Sequence, residues 1–146
     1  HNAPVIGAIL IALTLAGCAG GSSVGDGSLV SQISQPTQVN SGFDAKEVAL
    51  GKREHPKIVA AFGGTYADPQ LQRYLNSTVD KLSRASDRPE LSYSVTVLNS
   101  PSINAFSLPG GYIYVTRGLL ALANDSSEVA NVLAHEMAHI ISRHAI

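Results

Sequence analysis

Cysteine is almost absent from this chain. Cys18 is the only one among 146 residues, so no intrachain disulfide can form and a disulfide-stapled scaffold is excluded. Charge imbalance is absent too: 10 Lys and Arg stand against 11 Asp and Glu, and a net charge of −1 removes the electrostatic case for nucleic acid as a partner. No internal repeat is evident, which sets aside solenoid and propeller designs. The apolar run at residues 3–17 has the length of a signal-peptide core and falls short of the about 20 residues that span a bilayer.

What is present is concentrated near the carboxyl end, in His135-Glu136-Met137-Ala138-His139. Asp125 with Glu128 three residues on is a capping box, and Val129, Val132, Leu133, Met137, Ile140 and Ile141 then recur at helical spacing. On that helix the apolar residues form one stripe, while His135 and His139 share another face. Residues four apart lie about 40° from one another around the axis and about 6 Å along it, so both imidazoles can reach one metal ion. Glu136 lies about 80° from their mean direction, where a carboxylate can act on a water molecule without being a ligand. H-E-x-x-H at this spacing is the pattern of a zinc hydrolase.

A catalytic zinc takes three protein ligands and keeps a further position open for water. His144 projects into the apolar stripe. Glu128 shares the ligand face but lies seven residues, about 10 Å of rise, from His135. His55, beside charges at a helix break, reads as a solvated residue. The third ligand is therefore expected beyond Ile146.

Upstream, Pro109-Gly110-Gly111 is a turn signal between two β-prone runs, and Tyr112 to Thr116 has the aromatic and β-branched content of a strand, so a hairpin is expected ahead of the metal helix. An extended substrate needs main-chain partners, and an exposed sheet edge supplies them. Leu91 to Leu98 alternates Tyr93, Val95 and Val97 with Ser92, Ser94 and Thr96, a half-buried strand. Asp44 with Glu47 opens a helix that Pro56 is expected to interrupt and Gly63-Gly64 to end. Asp68-Pro69 caps a second helix carrying Leu71, Leu75, Val79 and Leu82. The expected architecture is α+β: two leading helices, a small mostly antiparallel sheet, and the metal helix packed beneath it.

In this order, Asn104-Ala105-Phe106, the run from Leu108-Pro109-Gly110-Gly111 to Gly118-Leu119-Leu120, His135-Glu136-Met137-Ala138-His139 and Arg143-His144 resemble zinc metallopeptidase family forty-eight, the group of HtpX, BepA and the CAAX-prenyl proteases. The resemblance covers roughly residues 44 to 146 and implies the amino-terminal portion of a zincin-like catalytic domain holding one Zn²⁺. It makes His135 and His139 zinc ligands, Glu136 the catalytic base and a downstream Glu the third ligand. Asn104, Ala105 and Phe106 are also similar to the edge-strand segment by which thermolysin-like enzymes hold the substrate backbone.

Leu15-Ala16-Gly17-Cys18 resembles a bacterial lipobox, which implies a signal peptide over residues 1–17 and lipidation of Cys18. Several acyl chains, at about 0.8 kcal/mol for each buried methylene, anchor a soluble domain stably. Residues 18–43, rich in Gly, Ser, Gln and Asn, read as a flexible tether to a domain at 44–146. Both termini read as cut: the chain opens on His1 rather than Met, with no basic segment ahead of the apolar run, and it stops seven residues after His139. Together these features predict a zinc metalloendopeptidase of the bacterial cell envelope, lipid-anchored on the periplasmic face of the outer membrane. Its expected partners are the membrane, through the lipid, and unfolded or misassembled protein substrates. The alternative is a lipid-anchored chaperone or assembly factor for outer-membrane proteins that cuts little.

Overall fold

The computed structural model describes residues 40–144; the expected signal peptide, the Cys18 lipobox and most of the expected tether lie outside the described residues. Folded contacts are already present at Asn40, four residues before the expected start of the domain. Asn40 is buried and its side-chain amide donates to the Gly110 carbonyl, while the Phe43 ring meets Tyr93 edge-on at 5.3 Å. The loop before the first helix is therefore fastened to both the hairpin turn and the strand that follows the second helix.

Helix α1 (Ala45–Ala61) starts where Asp44 accepts a hydrogen bond from the Lys46 amide at 2.8 Å. It runs unbroken through Pro56, contrary to the expected interruption. Pro56 lies on the exposed side, where the carbonyl deprived of its partner is left to water. Contacts on either side of Pro56 hold the helix to the sheet: Gly51 lies against the Tyr112 ring, where a Cβ would collide, and His55 Nδ1 meets Tyr114 Oη at 2.8 Å. The end is as expected. Gly63 and Gly64 both adopt positive φ, and Gly64 N–H reaches back to the Val59 carbonyl at 2.8 Å in a Schellman closure.

Helix α2 (Pro69–Arg84) is capped by Asp68, which accepts from Gln70 and Leu71 amides at 3.0 Å, with Pro69 at the first helical position. Its Leu75 and Val79 are fully buried. Strands β1 (Ser94–Leu98), β2 (Ala105–Leu108) and β3 (Tyr112–Thr116) form one sheet in the order β1-β3-β2. The hairpin is where the turn signal put it, with β2 and β3 antiparallel from Ala105↔Val115 to Leu108↔Tyr112.

The sheet is mixed rather than mostly antiparallel, because β1 pairs with β3 in parallel from Ser94↔Tyr112 to Leu98↔Thr116. The cause is local. Asn99-Ser100-Pro101 is not a hairpin turn, so β1 does not pair with the next strand and β3 takes the place between them. A short helix, α3 (Arg117–Leu122), follows β3 directly; sequence patterning gave no sign of it. It is nucleated by Thr116, whose hydroxyl accepts from the Leu119 amide.

Alternation along the strands sorts the two faces. Ile113 and Val115, with Val95 and Val97, join Leu75 and Val79 of α2 and Val129, Leu133, Met137 and Ile140 of α4 (Ser126–His144) in the core. Tyr114 and Phe106 point to the other face, stack at 5.0 Å, and meet His55 and Phe62 around α1. The two sheet edges differ. On the outer side of β1, the Val97 carbonyl accepts the Tyr66 amide at 2.8 Å and the Val95 carbonyl accepts the Gln72 side chain at 2.9 Å. Those two bonds cover the outer carbonyls of β1 among the described residues, and β2 forms the other edge, packed against α4.

Candidate metal centre

The start of α4 follows from its acidic cap. Asp125 accepts from Ser127 and Glu128 amides at 2.8 and 3.1 Å, and the Glu128 carboxylate reaches back to the Asn124 amide at 2.8 Å. Acidic groups here also oppose the positive end of the helix dipole. Hydrogen bonding to Ser127, then to the Glu128 and Ser127 amides, holds the Asp125 carboxyl below its usual range. Glu128 is thus a capping residue. It has no part in the histidine cluster.

Burial of Val129, Leu133, Met137 and Ile140 fixes the rotation of α4 against the sheet. That rotation leaves His135 and His139 exposed on one side, with their Nε2 atoms 2.9 Å apart and ring centroids 4.4 Å apart. Glu136 lies between the exposed histidine side and the core, 9% exposed, and makes no hydrogen bond to another described residue. Its stem is packed against the core, but its carboxylate oxygens are not among the buried unpartnered atoms of the described residues, so they reach solvent beside the histidine pair.

The two imidazoles fit a zinc ion. Zn–N bonds of about 2.0–2.1 Å in a tetrahedral site put two ligand nitrogens about 3.3 Å apart, so the observed 2.9 Å separation requires only a small opening of the rings. Among the described residues no group of three His, Cys, Asp or Glu side chains converges, so the pair stands without a third donor there. His55 is not the solvated residue that its charged neighbours suggest. It is half-buried against Tyr114 and Tyr112, on the face of the sheet opposite α4. The side chain of His144 lies outside the described residues.

The expected substrate segment falls at the start of β2, and its three residues differ in role. Asn104 is engaged by Thr116: its carbonyl accepts the Thr116 amide at 3.0 Å, and its amide donates to the Thr116 hydroxyl at 3.1 Å. Phe106 turns its ring to the α1 face. Because hydrogen-bonded residues alternate along an antiparallel ladder, the bond at Asn104 directs the backbone groups of Phe106 and Leu108 to β3 and those of Ala105 and Ser107 outward. The free edge is therefore made of Ala105 and Ser107. Arg143, one helical turn past His139, donates to the Ser107 carbonyl at 3.4 Å, a link that sequence patterning did not reveal.

A groove of about 640 Å³ lies elsewhere, lined by Tyr66, Asp68, Leu71, Asn99, Arg117, Leu120 and Ala121, and includes no residue of α4. Arg117 donates there to Asn99 at 2.8 Å.

An H-E-x-x-H helix beside an open sheet edge defines, by class, a metallopeptidase-type domain. Residues 69–146 match the family described as Peptidase family M48, and the chain belongs to that family. Over 77 residues it is 34% identical to a putative beta-barrel assembly-enhancing protease of Vibrio cholerae, covering 53% of this chain and 16% of that protein. It is 35% identical over 72 residues to the mitochondrial metalloendopeptidase OMA1 of Schizosaccharomyces pombe, covering 49% and 21% respectively. With the Arabidopsis thaliana OMA1 the identity is 46% over 54 residues, 37% of this chain and 11% of that one. The matched part thus spans about a fifth or less of these relatives.

Proposed function

We propose that this chain supplies the metal-binding and general-base part of a zinc-dependent metalloendopeptidase. The observation that carries the reading is the pair of Nε2 atoms 2.9 Å apart with Glu136 on their flank, its carboxylate without a partner among the described residues. His135 and His139 would hold the ion, which when bound supplies Lewis acidity that acidifies a water molecule and polarises the scissile carbonyl. Glu136 takes the proton of the attacking water and delivers it to the leaving amine, a role in which positioned acid–base groups contribute about 10²- to 10⁴-fold. The outward amide and carbonyl of Ala105 and the outward amide of Ser107 hold an extended peptide as an added strand, which fixes its carbonyl beside Glu136 without requiring a particular side chain.

Relatives bearing the name beta-barrel assembly-enhancing protease support a role in quality control of outer-membrane proteins, with unfolded or misassembled chains as substrates. The lipobox at Cys18 supports a lipid-anchored position in the cell envelope. Separable mutants test the catalytic reading. In the full-length, zinc-loaded protein, Glu136→Gln retains the metal and loses casein cleavage by several orders of magnitude, whereas His135→Ala or His139→Ala loses both. Metal analysis beside the cleavage assay reads the difference, and full cleavage by the Gln variant removes Glu136 from its role. Restoration of outer-membrane assembly by that inactive variant would instead favour the chaperone reading.

A further inference from the structure

Arg143 stands where the peptide-binding edge ends. Its guanidinium touches the Ser107 carbonyl, one of the outward-facing groups that an added strand would use, through a long bond of 3.4 Å. The guanidinium has further N–H donors. No carboxylate pairs with it among the described residues: the ion pairs there join Arg53 and Lys57 to Glu54, and Arg88 to Glu90. The Arg143 side chain is exposed, so its remaining donors face the space beside the edge. Ser107 itself keeps a buried hydroxyl without a partner.

Distance along α4 gives this cation a place in the substrate. Glu136, Ile140 and Arg143 fall within about 60° of one another around the helix, and Arg143 lies seven residues past Glu136, about 10 Å of rise. For an extended peptide lying along α4, advancing about 3.3 Å per residue, about three residues separate a bond held at Glu136 from a group held at Arg143. The ladder also ends there, because the Ser107 carbonyl is already occupied.

We propose that Arg143 sets the register of the bound peptide and selects a carboxylate, either an acidic side chain or a free carboxyl terminus, two to four residues from the scissile bond. This rests on the reading of β2 as the peptide-holding edge. Arg143 closes the ladder at Ser107 and offers the carboxylate a charge-assisted, two-pronged partner. It acts on the substrate without touching the reacting atoms.

The test uses full-length, zinc-loaded protein carrying Glu136→Gln, so that binding is read without cleavage, and a set of fluorescent ten-residue peptides. One glutamate is moved through each position, and the carboxyl terminus is either free or amidated. Fluorescence anisotropy should show a Kd tightened about tenfold by glutamate at one position, lost on adding Arg143→Gln and partly kept by Arg143→Lys. The gain should also shrink as salt is raised. Mass-spectrometric mapping of cuts by protein with Glu136 intact should put that glutamate two to four residues from the cleaved bond. An effect of amidation without any effect of internal glutamate assigns the terminal carboxylate as the ligand. A flat glutamate scan with no effect of amidation, discrimination that survives Arg143→Gln in a variant with an unchanged unfolding temperature, or no peptide binding at all overturns the proposal. Casein cleavage by the protein with Glu136 and Arg143 intact reads the peptidase assignment separately.

Discussion

Tyr114 has no exposed surface, and burial, with a smaller contribution from neighbouring Tyr112, pushes its phenol up to about 12. Burial raises Tyr93 and Tyr112 in the same direction. In the unfolded chain a tyrosine ionises near pH 10, so below that pH both states are protonated and the stabilising contribution of these residues is fully present. As pH rises from about 10 through 12 the unfolded state loses protons first, and the contribution disappears. Cooperative alkaline unfolding is expected in that window. Tyrosinate absorbance should rise together with the loss of circular dichroism, and phenols titrating near pH 10 in an intact fold would contradict it. The His55 contact to Tyr114 could not be read from sequence, since the partners are 59 residues apart and the immediate neighbours of His55 are charged. His135, Glu136 and His139 were legible because their relation is one of spacing within a single helix, which needs no tertiary information.

At the scale of elements, caps and the hairpin turn were legible, whereas the continuity of α1, the short α3 and the pairing of β1 were not. Asp44, Asp68 and Asp125 all cap the helices they were expected to cap, because a cap is a contact over two or three residues. The β2–β3 hairpin followed from Pro109-Gly110-Gly111 for the same reason. The parallel pairing of β1 with β3 and the continuity of α1 through Pro56 depend on what each element packs against, and periodicity is blind to that. Within β2, the alternation of the ladder turns the amide and carbonyl of Ala105 outward, so in the full-length protein Ala105→Pro removes the donor proposed to hold substrate and leaves the pairing groups of Asn104 and Phe106 in place. Zinc content should stay near normal while kcat/KM for an extended peptide falls at least tenfold, about 1.4 kcal/mol or more of transition-state binding. Unchanged kinetics would return the segment to plain scaffold.

For the whole molecule, the metal centre is sparse beside the scaffold that presents it. Two imidazoles with no third donor among the described residues predict weak zinc binding by residues 1–146 and little thermal stabilisation by the ion. Calorimetry checks this, and tight stoichiometric binding would mean that a donor outside the described residues completes the set. At the other end, the lipobox predicts that the chain made in a Gram-negative host takes up labelled palmitate and sediments with membranes, and that Cys18→Ala abolishes the label. Soluble, unlabelled protein would end the anchoring proposal.

Among the described residues, Tyr66 and Gln72 cover two outward carbonyls of β1, which leaves β2 as the edge open to an added chain. A ladder with one vacant side has a valence of one. It takes up a single extended segment, and two copies that paired through β2 would fill each other's vacancy and stop, where a sheet open on both sides could grow into a fibre. Such a pair would occupy the outward groups of β2 at which substrate binding is proposed, so an added extended peptide would compete with the pairing.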